Sequence, residues 1–116
     1  MSNELCCIDH TEATIVRDAL AAPATLQTAA DLFKMLGEPG RLRIMQVLLA
    51  RPMCVKDLSA VVGMQQTSVS HQLKLLRLHR LVKSERQGKM MVYSLDDEHV
   101  EQLLSIGLVH AKDAHV

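Results

Sequence analysis

The chain has 116 residues, 48% of them hydrophobic, a size that supports one compact domain with short tails and excludes a second folded domain. Phe33 and Tyr93 are its only aromatic residues against seven methionines, so its core is aliphatic and suits packed helices better than a β-sandwich. The formal net charge of +0 hides a segregation: residues 1–33 carry one basic and five acidic groups, 34–64 five and two, 65–93 six and one, 94–116 one and five. Positive charge is concentrated mid-chain, a stripe that can attract phosphate whatever the total and that fits a solvated surface of mixed lysines as well.

Residues 1–22 are polar and acidic and hold a Cys-Cys-x-x-His cluster; they are expected to form an N-terminal metal-binding arm, with a weak helix from Thr11 to Ala21. Pro23 marks the boundary to a domain over 23–116. From Ala24 to Leu36 the apolar positions Leu26, Ala29, Ala30, Phe33 and Leu36 follow helical spacing, and Gly37 is a stop. A second helix runs from Pro39 to Ala50, with Leu42, Ile44, Met45, Leu48 and Leu49 inward, until Arg51-Pro52 interrupts it. No apolar run approaches the roughly 20 residues of a membrane span, the longest lying within Ile44 to Ala50. The N-terminus lacks the basic flank and apolar stretch of a signal peptide. A cytoplasmic location is therefore expected, with Cys6, Cys7 and Cys54 as thiols.

A short helix from about Cys54 to Val62, a break at Gly63-Met64 and a longer helix from Gln66 to Leu78 have the shape of a helix-turn-helix unit. Leu81 to Arg86 and Met90 to Leu95 read as two strands joined by Gln87-Gly88-Lys89. A last amphipathic helix starts near Asp96 or Asp97 and continues past His110, through Val100, Leu103, Leu104 and Leu108. Three helices and a hairpin in this order predict a mainly α winged helix-turn-helix with a small β-hairpin. One further helix at each end is left for pairing with a second copy, so a homodimer through the terminal helices is expected.

A helix enters the major groove only if its outer face offers short hydrogen-bonding side chains, with cations behind to hold phosphates. Gln65, Gln66, Thr67, Ser68 and Ser70 are the base-edge or phosphate candidates, His71 and Gln72 lie further along, and Lys74 and Arg77 supply charge. On the hairpin, Arg86 and Lys89 flank Gly88 at the tip, where a wing meets the backbone or minor groove. Thr67–Ser70 also fits a plain polar helix start with Ser or Thr as N-cap, and His71 fits a semi-buried histidine equally well. The partner expected on this layout is double-stranded DNA. An enzyme is not expected, since the histidines lack any serine nucleophile arrangement, phosphate loop or metalloprotease spacing, and no small-molecule substrate is expected.

The run Ser-Val-Ser-His-Gln-Leu-Lys-Leu-Leu-Arg at 68–77, Leu-Val-Lys at 81–83, Arg-Gln-Gly-Lys at 86–89 and Val-Tyr-Ser-Leu-Asp-Asp-Glu-His at 92–99 resembles the ArsR/SmtB family of metal-sensing bacterial repressors. Gly-Glu-Pro-Gly-Arg-Leu-Arg-Ile at 37–44 is similar to that family's second-helix entry. The resemblance extends from about residue 24 to the end. It implies a homodimeric winged helix that represses operator DNA when metal-free and releases it on binding metal, controlling metal efflux or sequestration genes.

His99 and His110 are eleven residues apart, about 20° modulo a turn, so they share a helix face but stand roughly 16 Å apart along its axis. One ion cannot bridge them. His110 with Asp113, and Asp97 with His99, can each offer two ligands, whereas zinc normally takes four. An antiparallel copy of the helix brings one chain's His110 and Asp113 to the other's Asp97 and His99, making two equivalent sites per dimer suited to tetrahedral zinc or cobalt. The resemblance implies the same C-terminal-helix site position for position. His115 reads as a tail residue.

Cys54 and Asp57 lie three apart on one face, and Cys6, Cys7 and His10 form a compact cluster. Together they are a soft donor set suited to zinc, cadmium or lead. The resemblance implies a second site built from an N-terminal arm and the first cysteine of this helix. Lys56 stands where cadmium and lead sensors of the family often carry another cysteine. Cys54 fits a small buried hydrophobe equally well. A rival function is a thiol redox-sensing DNA-binding repressor, in which Cys54 must take part because adjacent Cys6 and Cys7 pair poorly.

Overall fold

The computed structural model describes residues 4–114; His115 lies outside them. The chain divides into two compact units between Asp31 and Leu32. In the first, Asp9 starts helix α1 (His10–Asp18) by accepting a hydrogen bond from the Glu12 N–H at 2.7 Å. This is the weak helix expected further on, begun one residue earlier and ended sooner. Helix α2 (Pro23–Leu36) opens on proline, whose missing N–H is no loss in a first turn. Of its expected apolar face only Leu36 is buried, while Leu26 and Phe33 are each 57% exposed.

In the second unit, the Glu38 carboxylate caps helix α3 (Pro39–Ala50) by accepting the Gly40 and Arg41 N–H bonds at 2.8 and 2.9 Å. Gly40 permits this, because a Cβ there would meet the Glu38 carboxylate oxygens at 3.0 and 3.2 Å. Arg41 Nε donates to the Met35 carbonyl at 2.8 Å and so ties the end of α2 to the start of α3. The chain then forms strand β1 (Met53–Cys54), helix α4 (Val55–Val62), helix α5 (Gln66–Leu78), strands β2 (Val82–Gln87) and β3 (Met90–Leu95), and helix α6 (Glu98–Asp113). Gly63 ends α4 in the left-handed region at φ 71° and donates to the Ser59 carbonyl at 2.9 Å, which makes the turn between α4 and α5.

The sheet has three antiparallel strands in the order β1-β3-β2, one more than the expected hairpin. Two residues are too short to show a period in the sequence, and β1 exists because Met53 and Cys54 pair with Tyr93 and Val92. The hairpin link is also tighter than expected: Gln87 pairs with Met90, leaving a two-residue turn with Gly88 first at φ 62°. Ile44 and Met45 of α3, Leu58 of α4, Val69, Leu73 and Leu76 of α5, and Leu81 form the fully buried centre. Val100 and Leu104 anchor α6 against it, and Leu42, Leu49 and Leu103 pack around its edge. No helix among the described residues is long and apolar enough to cross a membrane.

Two outcomes follow for stability. Leu73→Ala opens a cavity at a fully buried position and is expected to cost about 2–5 kcal/mol in urea unfolding, whereas Leu78→Ala, at a position 76% exposed, should stay within about 0.5 kcal/mol of wild type. The Glu38 carboxyl is held below its usual value of 4.5, chiefly by the Gly40 and Arg41 N–H bonds, with the Arg41 charge adding to them. A group lowered on folding stabilises the fold above its unfolded value and loses that contribution as pH falls through the folded one. Glu38→Gln should therefore be less stable than wild type at neutral pH, and the gap measured by circular dichroism should close as the pH drops below 4.5.

Candidate nucleic-acid interface and metal-ligand pairs

Burial of Val69, Leu73 and Leu76 fixes the rotation of α5, and the opposite arc necessarily faces solvent. Thr67, His71 and Lys74 lie on that arc, with Gln66, Ser68, Ser70 and Arg77 beside it, all exposed. Gln65 is the N-cap residue and makes no side-chain cap bond, so neither Ser nor Thr caps this helix. The side chains of Gln66, Thr67, Ser68, Ser70 and His71 have no hydrogen-bond partner among the described residues, leaving their donors and acceptors free for a ligand. Gln72 differs. It is half-buried, and its Oε1 accepts a long bond from Arg41 at 3.4 Å.

On the wing, Arg86 and Lys89 are exposed, and Arg86 Nε donates to the Gly88 carbonyl across the turn at 3.3 Å. Both expected wing cations thus sit at the tip of the β2–β3 hairpin. Arg80 and Lys83, just beyond α5, are exposed as well. Helical and strand periodicity singled out neither of them; a basic residue directly after the helix was the available signal.

Asp97 starts α6: Oδ1 accepts the Val100 N–H at 3.0 Å, and Oδ2 lies 3.7 Å from His99 Nδ1. The first contact, with His99 adding to it, holds the Asp97 carboxyl below the usual carboxylate range. An ionised oxygen and an imidazole nitrogen therefore stand side by side, and the His99 side chain is 92% exposed. Two ligands on one tetrahedral zinc are about 3.3–3.5 Å apart, from bonds of 2.0–2.2 Å, so this pair fits with a small closure. At the other end of α6, His110 and Asp113 border one shallow depression with Ser105, Ile106 and Val109. The helix is unbroken between the pairs, which keeps them roughly 16 Å apart. Among the described residues no three metal-ligating side chains come together.

Cys54 is both a β1 residue and the N-cap of α4, with 8% exposure. It nevertheless lines a depression with the exposed Asp57, together with Met53, Gln87, Met90 and Val92. Cys6 and Cys7 are exposed and precede α1, while His10 is its first residue.

Residues 38–84, which span α3, the helix-turn-helix and the start of the wing, match the family described as "Bacterial regulatory protein, arsR family". The HTH-type transcriptional regulator NmtR of Mycobacterium tuberculosis is 41% identical over 103 residues, 86% of each chain. The crystal structure of the antimony-specific transcriptional repressor AntR superposes with a TM-score of 0.74 at 31% identity, over 96% of this chain and 98% of that one. The homodimeric winged helix-turn-helix DNA-binding domain of Mb0332 from Mycobacterium bovis, solved by NMR, gives a TM-score of 0.76 at 27% identity, over 83% of this chain and 92% of that one. The expectations of a winged helix-turn-helix and of a regulator instead of an enzyme hold on these relatives. With its described fold and a relative this similar over most of its length, the chain belongs to the arsR family of bacterial regulatory proteins.

Proposed function

We propose that this protein is a metal-responsive transcriptional repressor that holds operator DNA as a metal-free homodimer and releases it on taking up Zn(II), so controlling metal efflux or sequestration genes. Cobalt, cadmium and lead also suit its donors. Gln65, Gln66, Thr67, Ser68 and Ser70 are the groups for base edges and phosphates at the start of α5, with His71 further along it. Lys74, Arg77, Arg86 and Lys89 are the backbone cations. Gln72 holds α5 to α3 through Arg41. Two such helices in a dimer address successive major grooves of a near-palindromic site.

Dimerisation is supported by the apolar surface that a single chain leaves open: Leu26 and Phe33 on α2, Ile106 and Val109 on α6. The observation that carries the metal reading is the division of α6 into two exposed two-donor pairs. Asp97 with His99, and His110 with Asp113, are each half of a four-ligand set, and an antiparallel copy of α6 completes both. Cys54 with Asp57, and Cys6, Cys7 and His10 on the arm, provide softer donors for a second site. Holding an ion across two subunits fixes their relative orientation, and an orientation unsuited to two successive grooves weakens DNA binding. Linkage then requires DNA to weaken metal binding by the same factor.

In a gel shift on operator DNA, His99→Ala and His110→Ala are each expected to leave metal-free binding within about threefold of wild type, because the coupling free energy lies in the metal-bound state. Each should abolish zinc-driven release; release that survives both changes places the governing site elsewhere. In a cadmium titration, Cys54→Ser should lower the thiolate charge-transfer absorption, and an unchanged spectrum removes Cys54 from the donor set. Release by peroxide but not by zinc would favour thiol redox sensing.

A further inference from the structure

The chain leaves α5 through a turn that sequence periodicity does not announce. The Arg80 N–H donates to the Arg77 carbonyl at 3.0 Å, and the Leu81 N–H donates to the Leu76 carbonyl at 2.9 Å. This is the paired 5→2 and 6→1 pattern of a Schellman motif, sealed by two fully buried leucines, Leu76 and Leu81. The motif needs its central residue in the left-handed region, and Arg80 sits there at φ 58°. Glycine meets that demand without a steric penalty; arginine does not. Among the described residues Arg80 is alone in having a positive φ without being glycine.

The Arg80 side chain contributes nothing to the turn. It is exposed, and its guanidinium has no hydrogen bond or ion pair among the described residues. It lines a depression of ≈ 610 Å³ with His71, Lys74, Leu75, Arg77 and Leu78. Lys74 and Arg77 are likewise without a carboxylate partner, so three free cations surround one concavity on the arc of α5 that turns away from the core. What arginine adds here over glycine is a planar, always charged donor set, on a backbone that the buried leucines beneath it hold still.

We propose that Arg80 is a phosphate-binding residue, fixed by this turn, that docks with Lys74 and Arg77 on the sugar-phosphate backbone flanking the groove entered by α5. The proposal rests on the DNA-binding reading above and extends it by one residue past the end of the helix. Its guanidinium can take a phosphodiester through two parallel N–H bonds, which a lysine cannot do. Such contacts set register without reading sequence.

The test uses metal-free full-length protein, a mixed-sequence DNA duplex spanning several helical turns, fluorescence anisotropy over a salt series, and thermal unfolding of the same samples. Arg80→Gly should unfold at or above the wild-type midpoint, since the turn prefers glycine, yet bind the duplex about 5- to 30-fold more weakly. The slope of log affinity against log salt should fall in magnitude by about 1.8 for a dimer, or 0.9 per phosphate lost. Arg80→Lys should recover part of the affinity. Wild-type affinity and slope in Arg80→Gly, beside a clear loss in Lys74→Ala, overturn the proposal and leave the DNA reading standing. A lowered midpoint in Arg80→Gly also overturns it, by making the side chain structural. Failure of wild type itself to bind the duplex removes both.

Discussion

The seating of α5 on the aliphatic core is the constraint from which the other functional geometry follows. Val69, Leu73 and Leu76 are each fully buried, against Ile44, Met45, Leu58 and Leu81. Three apolar side chains at this spacing leave the helix one rotation, since turning it by a single residue would expose Leu and bury Ser, His or Lys without partners. The polar arc therefore faces outward as a consequence of burial alone. The same core holds the helix ends: Leu76 and Leu81 clamp the exit at Arg80, and Leu58 and Val62 hold α4 at the angle set by Gly63.

Strand β1 is short, yet it pairs with β3 and passes straight into α4, so the wing and the helix-turn-helix are joined through Cys54 and its neighbours. Arg41 does similar work between α2 and α3, and reaches Gln72 on α5. The groups proposed to meet DNA are thus mounted on elements tied to each other by backbone pairing and side-chain bonds, which keeps their spacing defined. The apolar residues left open on α2 and α6 lie on the elements proposed to pair with a second copy of the chain. Helix α6 is anchored inward by Val100 and Leu104 while its histidines are exposed, so the proposed metal donors share its outer side with the exposed Ile106 and Val109.

Much of this was legible beforehand because it is written in local chemistry. Apolar spacing marked α2 to α6 to within a residue or two, glycine marked the turns at 63 and 88, and the interval between His99 and His110 already forbade a single ion on one chain. The Asp97–His99 pairing was readable too, since an aspartate at a helix start is free to turn toward the residue two positions on. Other features were hidden. The carboxylate of Glu38 over two backbone N–H groups, the pairing of Met53 and Cys54 with the wing, and the inward turn of Gln72 all depend on partners distant in sequence or on backbone geometry.

By itself the sequence determined the order and kind of elements, the aliphatic core, the mid-chain positive charge and the donor types along the last helix, because each is a property of residues within a turn or two of one another. Only the tertiary structure decided which of those residues are exposed together: that Cys54 is buried beside the wing, that Gln72 leaves the outer arc, and that Arg80 is held left-handed beside two free cations. The reason is that burial and backbone strain are set by what packs from elsewhere in the chain, and no local pattern carries that information.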